Sequence, residues 1–196
     1  TDALIVHNGA VIYVNDKLLC QYGIDRAAKN QILQAINRDF PNTNLSVEIE
    51  DVLYANFDVS VYWGTIQAIR TDFTNLPDKA ADKIIIGLSS PDDLERYAKY
   101  LTDDLYIEMN EGKLGLIMHK NATKSLAVKL VANHFNIDLS EIAAFGDDYN
   151  DIGMLQKCGI GVAVANALAE AKAAADYICD SNDSDGVARW IQENIL

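Results

Sequence analysis

Between Phe145 and Leu155 the chain places three carboxylates and an amide within five positions: Asp147, Asp148, Asn150 and Asp151. Carboxylates this close repel one another unless a cation or hydrogen bonds compensate. Asp and Asn oxygens are hard donors of the kind that Mg2+ takes. The apolar run Ile142–Phe145 before them reads as a buried parallel strand, and Ile152, Met154 and Leu155 after them as the buried side of a short helix. Asp147 therefore stands where a strand ends and a loop begins, the rim at which open α/β sheets bind ligands. The competing reading is a polar turn that caps a helix, with Asn150 or Asp151 as N-cap.

The elements that must position this cluster are set by the apolar spacing. Ala3–Val6 predicts a short strand, and the turn signal His7-Asn8-Gly9-Ala10 comes directly after it. Val11–Val14 and Leu18–Tyr22 flank Asn15-Asp16-Lys17, a hairpin signal. From Asp25 to about Phe40 apolar residues recur at helical spacing, and Pro41 stops the run. Leu45–Ile49 and Lys83–Leu88 predict strands. Between Asp51 and Phe73 the signal is mixed: Val59–Trp63 alternates weakly like a strand, and Thr65–Phe73 fits a short helix. Ser90-Pro91-Asp92-Asp93 opens a helix that runs to about Leu101, with Ser as N-cap and Pro at the first helical position. Leu105–Met109 and Lys113–Met118 predict strands about Asn110-Glu111-Gly112, and Thr123–Phe135 predicts a helix. Strands and helices then alternate to the end, with Gly159–Val164 the next strand and Asn166-Ala167 opening a helix. Residues from about 14 to 112 thus mix hairpins with helices, an α+β pattern. From about 120 onward the alternation implies a parallel, right-handed α/β unit.

The chain has 196 residues, 49% of them hydrophobic, enough to bury a core in one large or two small domains. Its 29 acidic and 16 basic residues give a net charge of −13. Such a field repels a nucleic-acid backbone and an anionic membrane surface, so neither is an expected partner. A small phosphorylated substrate is also an anion, and it would need a local cation or metal. Cys20, Cys158 and Cys179 form no CxxC pair and fit buried thiols in a reducing, cytoplasmic setting. No apolar run approaches the length of a membrane span, and no signal peptide is visible. The first residue is Thr1, which fits removal of an initiator Met or truncation.

Several segments together resemble one family. They are Ala122-Thr123-Lys124-Ser125-Leu126-Ala127, the acid cluster, Gly159-Ile160-Gly161-Val162-Ala163-Val164, Ala175-Asp176-Tyr177-Ile178, and Ser181 to Ala188. The chain resembles the haloacid dehalogenase superfamily, and within it the Cof-type phosphatases, most specifically from Lys124 to Ala188. The fold implied is a Rossmann-like α/β core with an inserted α+β cap. The implied domains are a core remnant over 1–13, a cap over 14–112 that covers the site and selects substrate, and the C-terminal half of the core over 113–196. Asp147 and Asp151 resemble the paired acids of the family's GDxxxD motif. Asp147 would then bind Mg2+ directly or through water, and Asp151 would bind behind it or fix the loop. Asn150 and Asn8, in an Asn-Gly-Ala turn, resemble residues that face metal, phosphate or substrate. Lys124 resembles the lysine that holds the phosphate and the nucleophile's carboxylate. A Lys at a helix start gains nothing from the helix dipole, which favours such a role. Lys120 is the competing candidate. Asp148 fits a solvated loop acid, and Asn166 fits a cap or a site residue.

The resemblance also implies what this stretch does not show. Family members carry a nucleophilic Asp in a DxD motif at the end of the first core strand, and nothing from Thr1 to Asn8 supplies it. In the family's strand order 5-4-1-2-3, Ala3–Val6 would be the third strand and Ile142–Phe145 the fourth. The expectation is a family member without its first βαβ unit, inactive alone, with an exposed sheet edge open to self-association. Asp183-Ser184-Asp185-Gly186 mimics DxDG, but polar residues separate it from the apolar run ending at Cys179, so it reads as an acidic loop capping the last helix. The same loop lacks the ligands of an EF-hand at its ends. Gly159-x-Gly161 lacks the third glycine of a dinucleotide fingerprint, and the three His residues show no metal-ligand spacing. The expected function of the intact protein is Mg2+-dependent hydrolysis of a small phosphomonoester through an aspartyl-phosphate. The alternatives are an inactive or regulatory fragment and, third, a sugar-phosphate mutase.

Overall fold

The chain divides into two compact units: Thr1–Leu19 with Thr123–Leu196, and Cys20–Ala122 between them. The computed structural model describes residues 2–110 and 112–196, so Thr1 and Glu111, the centre of the expected Asn110-Glu111-Gly112 turn, lie outside the described residues. The first unit opens with β1 (Ala3–Val6) antiparallel to β2 (Val11–Val14), Ala3 opposite Val14 and Val6 opposite Val11. Asn15 and Asp16 then take φ of 49° and 60°, the left-handed pair that a tight hairpin turn requires. β3 (Lys17–Gln21) completes the sheet in the order β1-β2-β3 and runs on across the boundary at Leu19.

The second unit begins with α1 (Arg26–Asp39), whose N-cap Asp25 accepts from the Ala27 and Ala28 amides. Then come β4 (Leu45–Ile49), β5 (Val52–Ala55), α2 (Ser60–Trp63), β6 (Ile69–Arg70), β7 (Lys83–Gly87), α3 (Leu94–Ala98), β8 (Leu105–Asn110) and β9 (Leu114–His119). They build a sheet in the order β6-β5-β4-β7-β9-β8, antiparallel except where β5 meets β6. The apolar stripe of α1, Ile32, Leu33 and Ile36, packs on Leu45, Val47, Ile49, Ile84, Ile86 and Ile117 from one sheet face. Each such side chain contributes roughly 2 kcal/mol by leaving water.

The chain then returns to the first unit with α4 (Lys124–Phe135), β10 (Ala143–Gly146), α5 (Ile152–Leu155), β11 (Ile160–Val164), α6 (Ala169–Ala174), β12 (Tyr177–Cys179) and α7 (Gly186–Asn194). β10, β11 and β12 are parallel neighbours in that order, with Ala144 opposite Gly161 and Ala163 opposite Ile178. The two links of this sheet carry α5 and α6, as parallel pairing demands. Leu155, Val162, Ala163, Ala171 and Cys179 form its core, and Phe145 meets Trp190 edge-on at 5.5 Å. β1 and β10 lie in separate sheets, each at an edge. α4 packs against β1, β2 and α5, and so ties the two sheets of this unit together.

Three expectations change here. Val59–Trp63 does not form a strand: the Asp58 carboxylate accepts from the Ser60 amide (3.0 Å) and starts the short helix α2, which Gly64 ends at φ 59°. Thr65–Phe73 holds the brief strand β6 instead of a helix. Just after it, the Thr71 hydroxyl and the Asp72 carboxylate draw the Phe73 and Thr74 amides into local bonds. The unit boundaries fall at 19/20 and 122/123 instead of near 14 and 112, because β9 pairs with β7 and β8 and so belongs wholly to the middle unit. The turn from Pro91 to Asp93 is tight, with Asp93 accepting from the Ser89 and Ser90 amides at 3.0 Å, and α3 stops at Ala98. Among the described residues no helix is long and apolar enough to cross a membrane. The cysteines are free thiols, Cys158 and Cys179 buried.

Candidate active site at the end of strand β10

Asp151 organises the cluster. Its carboxylate is buried, with the side chain 3% exposed, and both oxygens are bonded. Oδ1 accepts from Lys124 Nζ at 2.6 Å, and Oδ2 accepts from the backbone amides of Asp147 (3.0 Å) and Asp148 (3.2 Å). A buried carboxylate is tolerable only with this degree of pairing. The contact needs Gly146: a Cβ there would come within 2.5 Å of the Asp151 Cβ and 2.8 Å of its Cγ. The glycine of the Gly-Asp pair thus lets the loop fold back on the strand end.

Lys124 reaches Asp151 from the first position of α4. Thr123 caps that helix, its hydroxyl accepting from the Leu126 amide at 3.2 Å. The turn at His7–Gly9 lies against the same helix start. His7, Asn8 and Gly9 take φ of 50°, 58° and 100°, and a Cβ on Gly9 would come within 2.5 Å of the Thr123 carbonyl oxygen. Consecutive left-handed residues cost energy, and such strain concentrates at functional sites. The turn carries Asn8 to Asn150, whose Nδ2 donates to Asn8 Oδ1 at 3.3 Å. Asn150 Oδ1 is buried with no hydrogen-bond partner. Residues 142 positions apart are thus brought together beside the acid loop.

Asp147 is the exposed carboxylate of the group. Its carbonyl accepts from the Leu168 amide at 2.9 Å, which fastens the end of β10 to the loop after β11. Partial burial, then the charge of Asp151, push its carboxyl above the ordinary range, against the opposing pull of Lys124. A cation beside it would relieve that. Among the described residues no group of three or more His, Cys, Asp or Glu side chains is arranged to hold a metal ion. The donors left over are the Asp147 carboxylate and the Asn150 oxygen, both hard and suited to Mg2+ completed by water or a phosphate.

The structure therefore brings Asp147, Asn150, Asp151, Lys124 and Asn8 into one place within the first unit. Lys120 lies in the other unit, its amide bonded to the Asp104 carbonyl. Asp148, expected as a solvated acid, caps the turn Tyr149–Asp151 by accepting from the Tyr149 amide at 2.7 Å. Asp151 stands at the N-cap position of α5, as one of the two expected candidates, but its side chain makes no cap bond there. Asn166 sits outside the cluster's bonds and is no helix cap: its Oδ1 accepts from the Ser181 hydroxyl (3.0 Å) and the Asn182 amide (3.3 Å), joining two loops. Asp185 opens α7 without a side-chain cap bond. Sequence reasoning names Gly146 and Thr123 only as members of motifs, without their roles, and misses Lys157, whose Nζ donates to Ser125 Oγ at 2.8 Å and ties the end of α5 to the start of α4. Thr123 carries a readable signal, a Thr directly before a helical run. The Lys157 bond carries none.

A family model described as haloacid dehalogenase-like hydrolase matches residues 1–191. A Haemophilus influenzae protein provisionally named a phosphatase is 43% identical over 77 residues, 39% of this chain and 29% of that one. The phosphoglycolate phosphatase of Sulfurisphaera tokodaii is 34% identical over 133 residues, 64% of this chain and 56% of that one. The chain spans between 29% and 59% of the length of the first three curated relatives it matches. Among solved structures, a sugar phosphatase of subclass IIB superposes with a TM-score of 0.85 at 22% identity, over 98% of this chain and 75% of that one. That likeness is one of fold.

Proposed function

The chain belongs to the haloacid dehalogenase-like hydrolase family, and on that premise we propose that the whole protein hydrolyses small phosphomonoesters with Mg2+. The observation that carries this is the Lys124–Asp151 pair behind an exposed Asp147 at the end of a parallel strand. Asp147 would hold the metal, which supplies charge stabilisation to the phosphoryl oxygens. Asp151 fixes the loop and keeps the Lys124 ammonium in place, and Lys124 offsets the negative charge of the bound phosphate. Asn8 and Asn150 orient the ester through their amides. In the full reaction an Asp carboxylate attacks phosphorus, the alcohol leaves, and water releases phosphate from the aspartyl-phosphate. Sugar phosphates and phosphorylated small acids are the substrate class, in keeping with the names of the sugar and phosphoglycolate phosphatases it resembles. The middle unit selects among them.

Residues 1–196 alone do not turn over these esters on this reading. Asp151 is spent on Lys124 and two amides, Asp148 on the turn, and Asp147 on the metal, so no carboxylate of the cluster remains as nucleophile. The edge strands β1 and β10 also favour association between copies. The test is phosphate release from a panel of phosphomonoesters with Mg2+, for the full-length protein and for residues 1–196. Full-length turnover should fall by orders of magnitude in Asp147→Asn and lose its Mg2+ dependence. Unchanged kinetics would remove Asp147 from the site. Saturable turnover by residues 1–196, lost in Asp147→Asn, would place the nucleophile within them.

A further inference from the structure

The loop after α1, Asp39 to Asn44, borders a cavity of about 430 Å3 together with the segment after β7 and the start of α3. That volume lies within the range of small-molecule sites. Every lining residue belongs to the middle unit, and none belongs to the acid cluster. The walls are bonded to one another. The Gly87 amide donates to the Asn44 carbonyl at 2.7 Å, Asn44 Nδ2 donates to the Tyr62 hydroxyl at 3.3 Å, and the Thr43 and Tyr97 hydroxyls meet at 3.3 Å. The cavity is thus shaped before anything enters, which lowers the ordering cost of binding.

Its charges are balanced from within. Asp39 accepts from Arg38 Nε (2.8 Å) and the Tyr100 hydroxyl (2.7 Å), bonds that hold its carboxyl down at about 2. Asp93 is buried, and its Oδ1 pairs with Arg96 Nη1 at 2.9 Å while its Oδ2 accepts the Ser89 and Ser90 amides. Each lining carboxylate is therefore already matched to a guanidinium. A cation would find no unengaged carboxylate, and an anion would face a chain of net charge −13. Asn42, Ser89 and Arg96 are exposed where they line the cavity, and Arg96 keeps donors beyond its bond to Asp93. The aromatic residues Phe40, Tyr62 and Tyr97 line the same cavity.

We infer that this cavity is a second ligand site, for a small neutral polyhydroxylated molecule such as a sugar or polyol. Its hydroxyls would meet Asn42, Ser89 and Arg96, and its C–H faces the rings. The inference is independent of the phosphatase reading, since binding here requires no turnover, and failure of either leaves the other standing. The experiment is an amide-resolved NMR titration of residues 1–196 with methyl glucoside and with ribitol, each to about 50 mM. Inorganic phosphate and tetramethylammonium serve as charged probes. Shifts should centre on Asn42 to Asn44 and Ser89, with a Kd in the millimolar range. Arg96→Met, and separately the double variant Asn42→Ala with Ser89→Ala, should weaken binding about tenfold while the rest of the spectrum stays that of the folded protein. No saturable shift with either neutral probe would overturn the inference. So would stronger shifts with phosphate or tetramethylammonium, or sugar binding that both variants retain.

Discussion

The two units use buried polar groups in opposite ways. In the middle unit polar side chains serve the framework: Lys29, fully buried, gives its ammonium to the Pro77 and Lys79 carbonyls at 2.7 and 2.8 Å, and Lys83 and Glu48 pair directly across adjacent strands at 2.8 Å. In the first unit the buried Asp151 supports an exposed carboxylate, and Asn150 keeps a buried oxygen with nothing to bond. An unmet buried oxygen costs free energy, and Ser46 Oγ in the middle unit is another, so the contrast rests on what the buried Asp151 supports. The difference separates a scaffold from a site, and calorimetry of variants can break or sharpen it.

The largest effect is expected for Asp151→Ala. It leaves the Lys124 ammonium and two amides without their acceptor, and should destabilise the first unit by about 4 kcal/mol. Scanning calorimetry should show that unit's transition move down while the middle unit's stays. A common shift of both transitions would break the comparison. Leu33→Ala is the converse: it opens a cavity in the α1 core and should cost about 3 kcal/mol in the middle unit alone.

Asn150→Ala should be far milder, within about 1 kcal/mol by denaturant unfolding, since it removes an unsatisfied acceptor together with one long hydrogen bond. The same variant in the full-length protein should still lose most of its phosphatase activity. A large stability loss would make Asn150 part of the framework. The smallest effect is the pH dependence of Asp147→Asn. The folded state binds the Asp147 proton more tightly than the unfolded chain, so the carboxylate destabilises the fold once pH rises above its raised folded value. Without divalent cations the variant should melt slightly higher than the parent at neutral pH. The gain should shrink as pH falls through the raised value, and vanish below the ordinary 3.8. Mg2+ should remove the parent's deficit and leave the variant unmoved.

Much of the fold is legible from the chain because local signals and tertiary placement agree. The hairpin at Asn15-Asp16, the Pro41 stop and the helix that Lys124 opens are all dictated by turn chemistry and apolar spacing. The acid cluster is legible because no packing need explains its composition. The segment around Val59–Trp63 misleads because alternation over five residues is weaker than one Asp58 bond to the Ser60 amide. The division of labour among the acids is hidden for a different reason. Which of Asp147, Asp148 and Asp151 turns inward depends on the bare Cα of Gly146 and on the reach of Lys124 from 27 residues away, and neither is a property of the cluster itself.

The order in which the chain is made gives the interruption between Leu19 and Thr123 a further meaning. The middle unit is continuous, so a growing chain holds all of it once Ala122 has left the ribosome. The first unit is split, and β1 and β2 must wait for α4 and the later strands before they can be packed. During translation the scaffold is therefore ready to close first, as units completed earlier in synthesis generally do. The carboxylate that anchors Lys124 arrives only after that scaffold is complete. A ribosome stalled between Ala122 and Asp151 would carry a finished middle unit and a reactive end still unmade.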